Sequence, residues 1–139
     1  MELEYNLFPS AQFNHLNDSV YIIFDTNVLI QNLKEIKDII QKNKLNRTDN
    51  TNMSLFFIVP WIVIMELDAL KSNRKGKLLL EIESRAAIDY LLKIASENCD
   101  FITFQNSAQN EEISNQIKCV TNDDYILKCA LKSKETCKL

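Results

Sequence analysis

Three short, uninterrupted apolar runs constrain this chain more than any other feature. They are Val20-Tyr21-Ile22-Ile23-Phe24, Leu55-Phe56-Phe57-Ile58-Val59 and the less pure Asp100-Phe101-Ile102-Thr103-Phe104. β-Branched and aromatic residues without polar alternation suit strands covered on both faces, as in a parallel sheet. Between the runs, apolar residues recur at helical spacing. Leu29, Leu33, Ile36 and Ile40 predict one helix over 28–44. Pro60 fits the first position of a second helix over 61–72, where its missing N–H costs nothing. Residues 73–77, with Gly76, break that helix, and a third follows over 78–98, presenting Ile82, Ala86, Ala87, Tyr90, Leu91 and Ile94. A last helix is expected from about Asn122. The polar segments 43–54 and 105–115 read as loops. This order predicts an α/β fold, a three-layer α/β/α open parallel sheet with right-handed crossovers.

The 139 residues suit one domain, with 1–18 as a polar lead-in and 19–139 as the folded unit. Three strands fall short of the ~5–6 of an average sheet, so the domain is expected to be truncated before its last strand or strands. The first strand would then keep an unpaired edge, open to pairing with a second copy as a homodimer. No apolar run approaches the ~20 residues that span a bilayer, and the acidic start lacks a signal-peptide layout. An intracellular protein without membrane insertion is expected. Cys99, Cys119, Cys129 and Cys137, spaced 20, 10 and 8 apart, form no CxxC pair and read as free thiols. His15 is the only histidine, which excludes a His-rich metal centre.

The functional signal lies in acids placed where a bland protein would not put them. Asp25 directly follows the first strand, at the sheet edge where open α/β folds bind ligands, although a helix N-cap would use the same residue. Glu66 has Ile62, Val63, Ala69 and Leu70 as its helical neighbours, so it sits in an apolar stripe. Asp68, beside Lys71 and Ser72, lies on a solvated edge instead. A carboxylate on a core face is costly unless it is paired or bound to a cation, and a salt bridge to Arg74, Arg85 or a lysine is the plain alternative. Asp123 opens the last helix beside Ile126 and Leu127, where first-turn capping is again the competing role. Asp124 could take either part.

Three carboxylates gathered at one sheet edge would raise one another's pKa unless cations neutralised them. Oxygen-only donors favour Mg²⁺ or Mn²⁺, ions that activate water for in-line phosphodiester hydrolysis. The net charge of −3 speaks against simple electrostatic binding of nucleic acid, but bound cations reverse the local field. Arg74, Lys75, Lys77 and Arg85, following Glu66, are the candidate contacts to nucleic-acid phosphates.

Residues 24–29 (FDTNVL), 59–71 (VPWIVIMELDALK) and 122–131 (NDDYILKCAL) resemble the PIN domain. The resemblance covers about residues 20–131. It lies nearest the eukaryotic subgroup of the nonsense-mediated-decay endonuclease and, more closely, a nuclear messenger-ribonucleoprotein quality-control endoribonuclease. It implies a metal-dependent endonuclease acting on single-stranded RNA, nuclear rather than cytoplasmic, with messenger-ribonucleoprotein or nuclear-pore-associated partners. Asp25, Glu66 and Asp123, with Asp124 as a further candidate, would hold Mg²⁺ or Mn²⁺, supported by Thr26, Asn27 and Asn122. The family's fourth acid, in a Thr-Asn-Asp-like segment after the next strand, is not found before Leu139. A weakly active or inactive chain is therefore expected, and the alternative is a PIN-like scaffold that binds RNA or protein without cutting. A receiver domain would need an acid ending the third strand, and Phe104-Gln105-Asn106 has none. One glycine excludes Rossmann and P-loop phosphate sites.

Overall fold

The computed structural model describes residues 18–46, 53–72, 77–111 and 118–136. The expected lead-in and the segment with Arg74, Lys75 and Gly76 lie outside the described residues, apart from Asp18, which opens the first strand. Three strands form one sheet in the order β1 (Asp18–Ile23), β2 (Met53–Val59), β3 (Ile102–Phe104), all parallel. Among the described residues β1 is an edge of that sheet. The register pairs Ile23 with Ile58 and Val59 with Phe104, which levels the strand ends. Phe24 N–H then donates to Ile58 O, and Gln105 N–H to Val59 O. Asp25, Pro60 and Gln105 consequently leave the sheet together at its C-terminal edge.

Helices connect the strands as the apolar spacing requires, with three corrections. The helix expected over 28–44 is two, α1 (Thr26–Gln31) and α2 (Leu33–Asn46), broken at Asn32 with φ −126° and ψ 32°. Asn32 still donates to Val28 O and accepts from Ile36 N–H, so the joint is a kink, at a residue whose amide competes with helical backbone bonding. Pro60 lies at the N-cap of α3 (Trp61–Lys71) rather than inside it, with φ −62° and ψ 146°. In α4 (Leu78–Ser96) the buried stripe is Ser84, Ala87, Leu91 and Ile94, while Ile82 and Ala86 are exposed. Apolar residues lie on more than one face of α4, so periodicity alone could not select the buried one. Asn98, in the left-handed region at φ 50°, ends that helix's exit turn.

The expected loop after β3 contains a short helix, α5 (Ser107–Glu111), and the chain then reaches α6 (Asn122–Thr136). The core gathers on one sheet face. Phe24, Phe57, Val59 and Ile102 meet Leu29, Ile36, Val63, Leu67, Leu91 and Ile94 from α1 to α4, with Phe24 stacked on Phe57 at 5.6 Å. α6 lies on the opposite face. Between it and Tyr21, Phe56, Ile58 and Thr103 is a cavity of about 420 Å³ whose far wall is Cys129, Lys132 and Ser133. Helices thus flank a parallel sheet on both sides, as the alternating pattern predicts. No described helix is long and apolar enough to cross a membrane.

Candidate metal-binding site

Asp25 is at the N-cap of α1 with extended backbone, yet its carboxylate makes no capping hydrogen bond. The plain structural use of an aspartate here is therefore not realised. Thr26, the next residue, is buried, and its Oγ1 completes no hydrogen bond. That hydroxyl nevertheless lies near enough to the Glu66 carboxylate to favour its ionised form. Thr26 is a donor held at a carboxylate without proper bonding geometry.

Glu66 is half-buried on α3, whose neighbouring Val63 and Leu67 are wholly buried in the core. Desolvation holds its pKa above the ordinary 4.5, and the charges of Asp25 and Asp123 push it further the same way. Thr26 and the side-chain amide of Asn122 oppose this. Glu66 is thus the point where β1's end, α3 and the start of α6 meet. Among the described residues none of the three acids forms an ion pair. Arg85, one alternative partner, bonds Glu81 Oε1 at 2.8 Å and the Lys71 carbonyl at 3.4 Å, at the far end of α3. Asp68 pairs with Lys71 at 2.7 Å on the solvated edge its neighbours foretold.

Asp124 has other work. Its Oδ2 accepts the N–H groups of Val120 and Thr121, both at 2.8 Å. These bonds, Thr121's first, hold its carboxyl below the usual carboxylate range. Asn27 is exposed, and Lys77 is exposed at the start of α4. Leu127, expected as an apolar neighbour of Asp123, is largely exposed, while Ile126 packs against the core.

Two positions escaped the sequence reading. Gln105 is buried, and its Oε1 accepts the Trp61 N–H at 3.0 Å, capping α3 from the residue that follows β3, where Pro60 has no capping side chain. No local pattern announces a cap contributed from the end of another strand. The bond between Asp124 and Thr121 did have a signature, since Thr121-Asn122-Asp123-Asp124 matches the spacing of a capping box.

Among the described residues the donor set is oxygen-only, unpaired with any cation, and includes an orphaned hydroxyl, a chemistry that fits a hard divalent cation. Among the described residues, however, no three acids, cysteines or histidines are gathered tightly enough to form a ligand set as they stand. Mutual electrostatic influence is present, and a closed coordination shell is not.

Comparison with known proteins adds sequence evidence to this geometry. The profile of the PIN domain matches residues 22–138. The chain is also 28% identical over 137 residues to the transcriptional protein SWT1 of Homo sapiens. That alignment takes in 97% of this chain but spans only 14% of the human protein's length.

Proposed function

This chain belongs to the PIN domain family, and from that premise we propose that it is a metal-dependent endoribonuclease that hydrolyses phosphodiester bonds of single-stranded RNA. The observation that carries the reading is Glu66, a partly desolvated carboxylate flanked by Asp25 and Asp123, with no cation partner among the described residues. In this reading Asp25, Glu66 and Asp123 hold Mg²⁺ or Mn²⁺. When bound, such an ion supplies positive charge to the scissile phosphate and lowers the pKa of water.

The chain's own residues do the rest. Glu66 gives up the proton that its surroundings favour, and Thr26 and Asn122 favour its ionised form. Asp25 leaves its cap unfilled and stays available at the sheet edge. Lys77 and Arg85, with Arg74 and Lys75, are the proposed phosphate contacts. A role in RNA quality control in the nucleus is part of the proposal. It is motivated by the motifs and by similarity to a human protein named as transcriptional. Messenger-ribonucleoprotein partners and self-association through the β1 edge belong to it as well.

A second reading, an RNA- or protein-binding scaffold that does not cut, is favoured by the absence of a preformed ligand set among the described residues. One experiment separates the two. Single-stranded RNA is incubated with the chain in Mn²⁺ and in EDTA, beside Asp25→Asn and Asp123→Asn. Cleavage that needs Mn²⁺ and drops at least ~100-fold in each variant supports the nuclease. RNA binding without cleavage at any metal concentration supports the scaffold.

A further inference from the structure

Asp124 stands beside an acid of the proposed site, and its carboxylate is already engaged. Oδ2 gathers the backbone N–H groups of Val120 and Thr121, and the Asp124 N–H donates to Thr121 Oγ1 at 3.3 Å. This is a reciprocal capping box, with Thr121 at the N-cap and the acid three residues on. The two residues it encloses are Asn122 and Asp123. The helix they open, α6, packs against α3, which carries Glu66, and both residues lie within electrostatic reach of that carboxyl. Pinning the chain at 120–121 and again at 124 leaves the intervening backbone little freedom.

An arrangement that spends one acid on backbone N–H groups to fix its neighbour differs from one in which both acids bind a cation. Oδ1 could serve a cation only in the orientation that the box already sets, and Oδ2, which accepts two amide protons at 2.8 Å, would have to release them to become a ligand. The first turn of α6 would then lose the cap that defines it. We infer that Asp124 is a positioning residue that aims Asn122 and Asp123 at Glu66, and is not a ligand of the site. The inference rests on the nuclease reading of that site.

The test compares Asp124→Asn, which keeps an acceptor and loses the charge, with Asp124→Ala, which loses both. Thr121→Val and Thr121→Ser probe the other half of the box. The first readout needs no activity. In the metal-free chain, NMR follows amide exchange at Val120 and Thr121 and the proximity of the Asn122 amide to Glu66. The second is the Mn²⁺ dependence of RNA cleavage.

Asp124→Asn is expected to keep the Asn122–Glu66 contact and to cut within ~3-fold of the parent. Asp124→Ala is expected to lose the contact and to cut ~10-fold more slowly, with more Mn²⁺ needed, as loss of a cap implies. Thr121→Val follows Ala, and Thr121→Ser restores the parent's behaviour. If Ala fails to fold, Thr121→Val carries the same comparison. Asn as damaging as Ala in cleavage, with the Asn122–Glu66 contact intact, would make Asp124 a ligand and overturn the inference. A contact and Mn²⁺ response unchanged in Ala would overturn it equally. Should the NMR series behave as expected while no form cuts RNA, the positioning role stands and the nuclease reading falls.

Discussion

A carboxyl group partly withdrawn from water, and sharing its surroundings with two other acids, holds its proton more tightly than a free one, and Glu66 is such a group. Its folded-state pKa lies above the 4.5 of a free side chain, so the folded chain binds this proton more strongly than the unfolded chain does. From this group, metal-free stability is greatest below 4.5 and declines as pH rises through the raised value. Glu66→Gln removes the charge and keeps a polar group beside Thr26 and Asn122. The variant should melt higher than the parent near neutral pH in EDTA, and the difference should vanish in acid. Thermal melts at the two pH values check it, and a variant melting lower at neutral pH would contradict the stated surroundings. Cys129 gives a second residue-scale test. Burial pushes its thiol up to about 11, so few thiolates form near pH ~8. Alkylation of the folded chain followed by peptide mass spectrometry should leave Cys129 unmodified while the half-exposed Cys99 and Cys119 react. Asp25, Glu66 and Asp123 stand out in the sequence as candidates because Asp25 follows a strand and the other two have apolar residues at helical spacing. What could not be read was how the remaining polar groups are employed, since the burial of the Thr26 hydroxyl without a partner and the cap that Gln105 gives α3 depend on which chain segments meet.

At the level of elements, the strands were legible because continuous apolar runs leave few other folds. Their lengths were not, because length depends on the partner. β2 begins at Met53, ahead of its apolar run, because it pairs with Asp18 of β1. β3 keeps only Ile102–Phe104, the residues that face Phe57–Val59. Helix α3 depends on β3 in a way its own sequence does not reveal, through the bond from Trp61 N–H to Gln105 Oε1. Gln105→Ala should leave that N–H without its acceptor and destabilise the fold by about 1–3 kcal/mol. Urea unfolding measures the loss, and faster amide exchange at Trp61 would locate it. A variant as stable as the parent would mean that solvent replaces the glutamine fully. Because α3 carries Glu66, cleavage in the nuclease reading should fall as well.

On the scale of the molecule, the two sides of the sheet are built unequally. Leu67 is fully buried between the sheet and its helices, so Leu67→Ala should cost about 2–5 kcal/mol. Ile126, only partly buried on α6, should cost less, and parallel denaturant titrations of the two variants test the ranking. The side that holds α6 thus contributes less to the core but carries Asp123, which joins site and stability only loosely.

The overall charge sets the last expectation. With 16 basic and 19 acidic residues the chain is −3, and RNA approaching Asp25, Glu66 and Asp123 meets negative charge first. Divalent cations at those acids would reverse that sign locally, so affinity should depend more on the ion than on the basic side chains. In EDTA, binding of a single-stranded RNA should be weak. Adding Ca²⁺, a hard cation that also takes oxygen ligands, should strengthen it ~10-fold or more. Asp25→Asn should abolish the gain. Lys77→Glu and Arg85→Glu should each weaken binding in either condition and make its salt dependence shallower by about one phosphate contact. Arg85 has the smaller expected effect, because Glu81 already shares its charge. Fluorescence anisotropy across a range of NaCl concentrations, with and without Ca²⁺, measures both quantities. Tight, steeply salt-dependent binding in EDTA would show instead that a basic surface holds the RNA without the acids, and that the cluster around Glu66 has no part in recognising the phosphate.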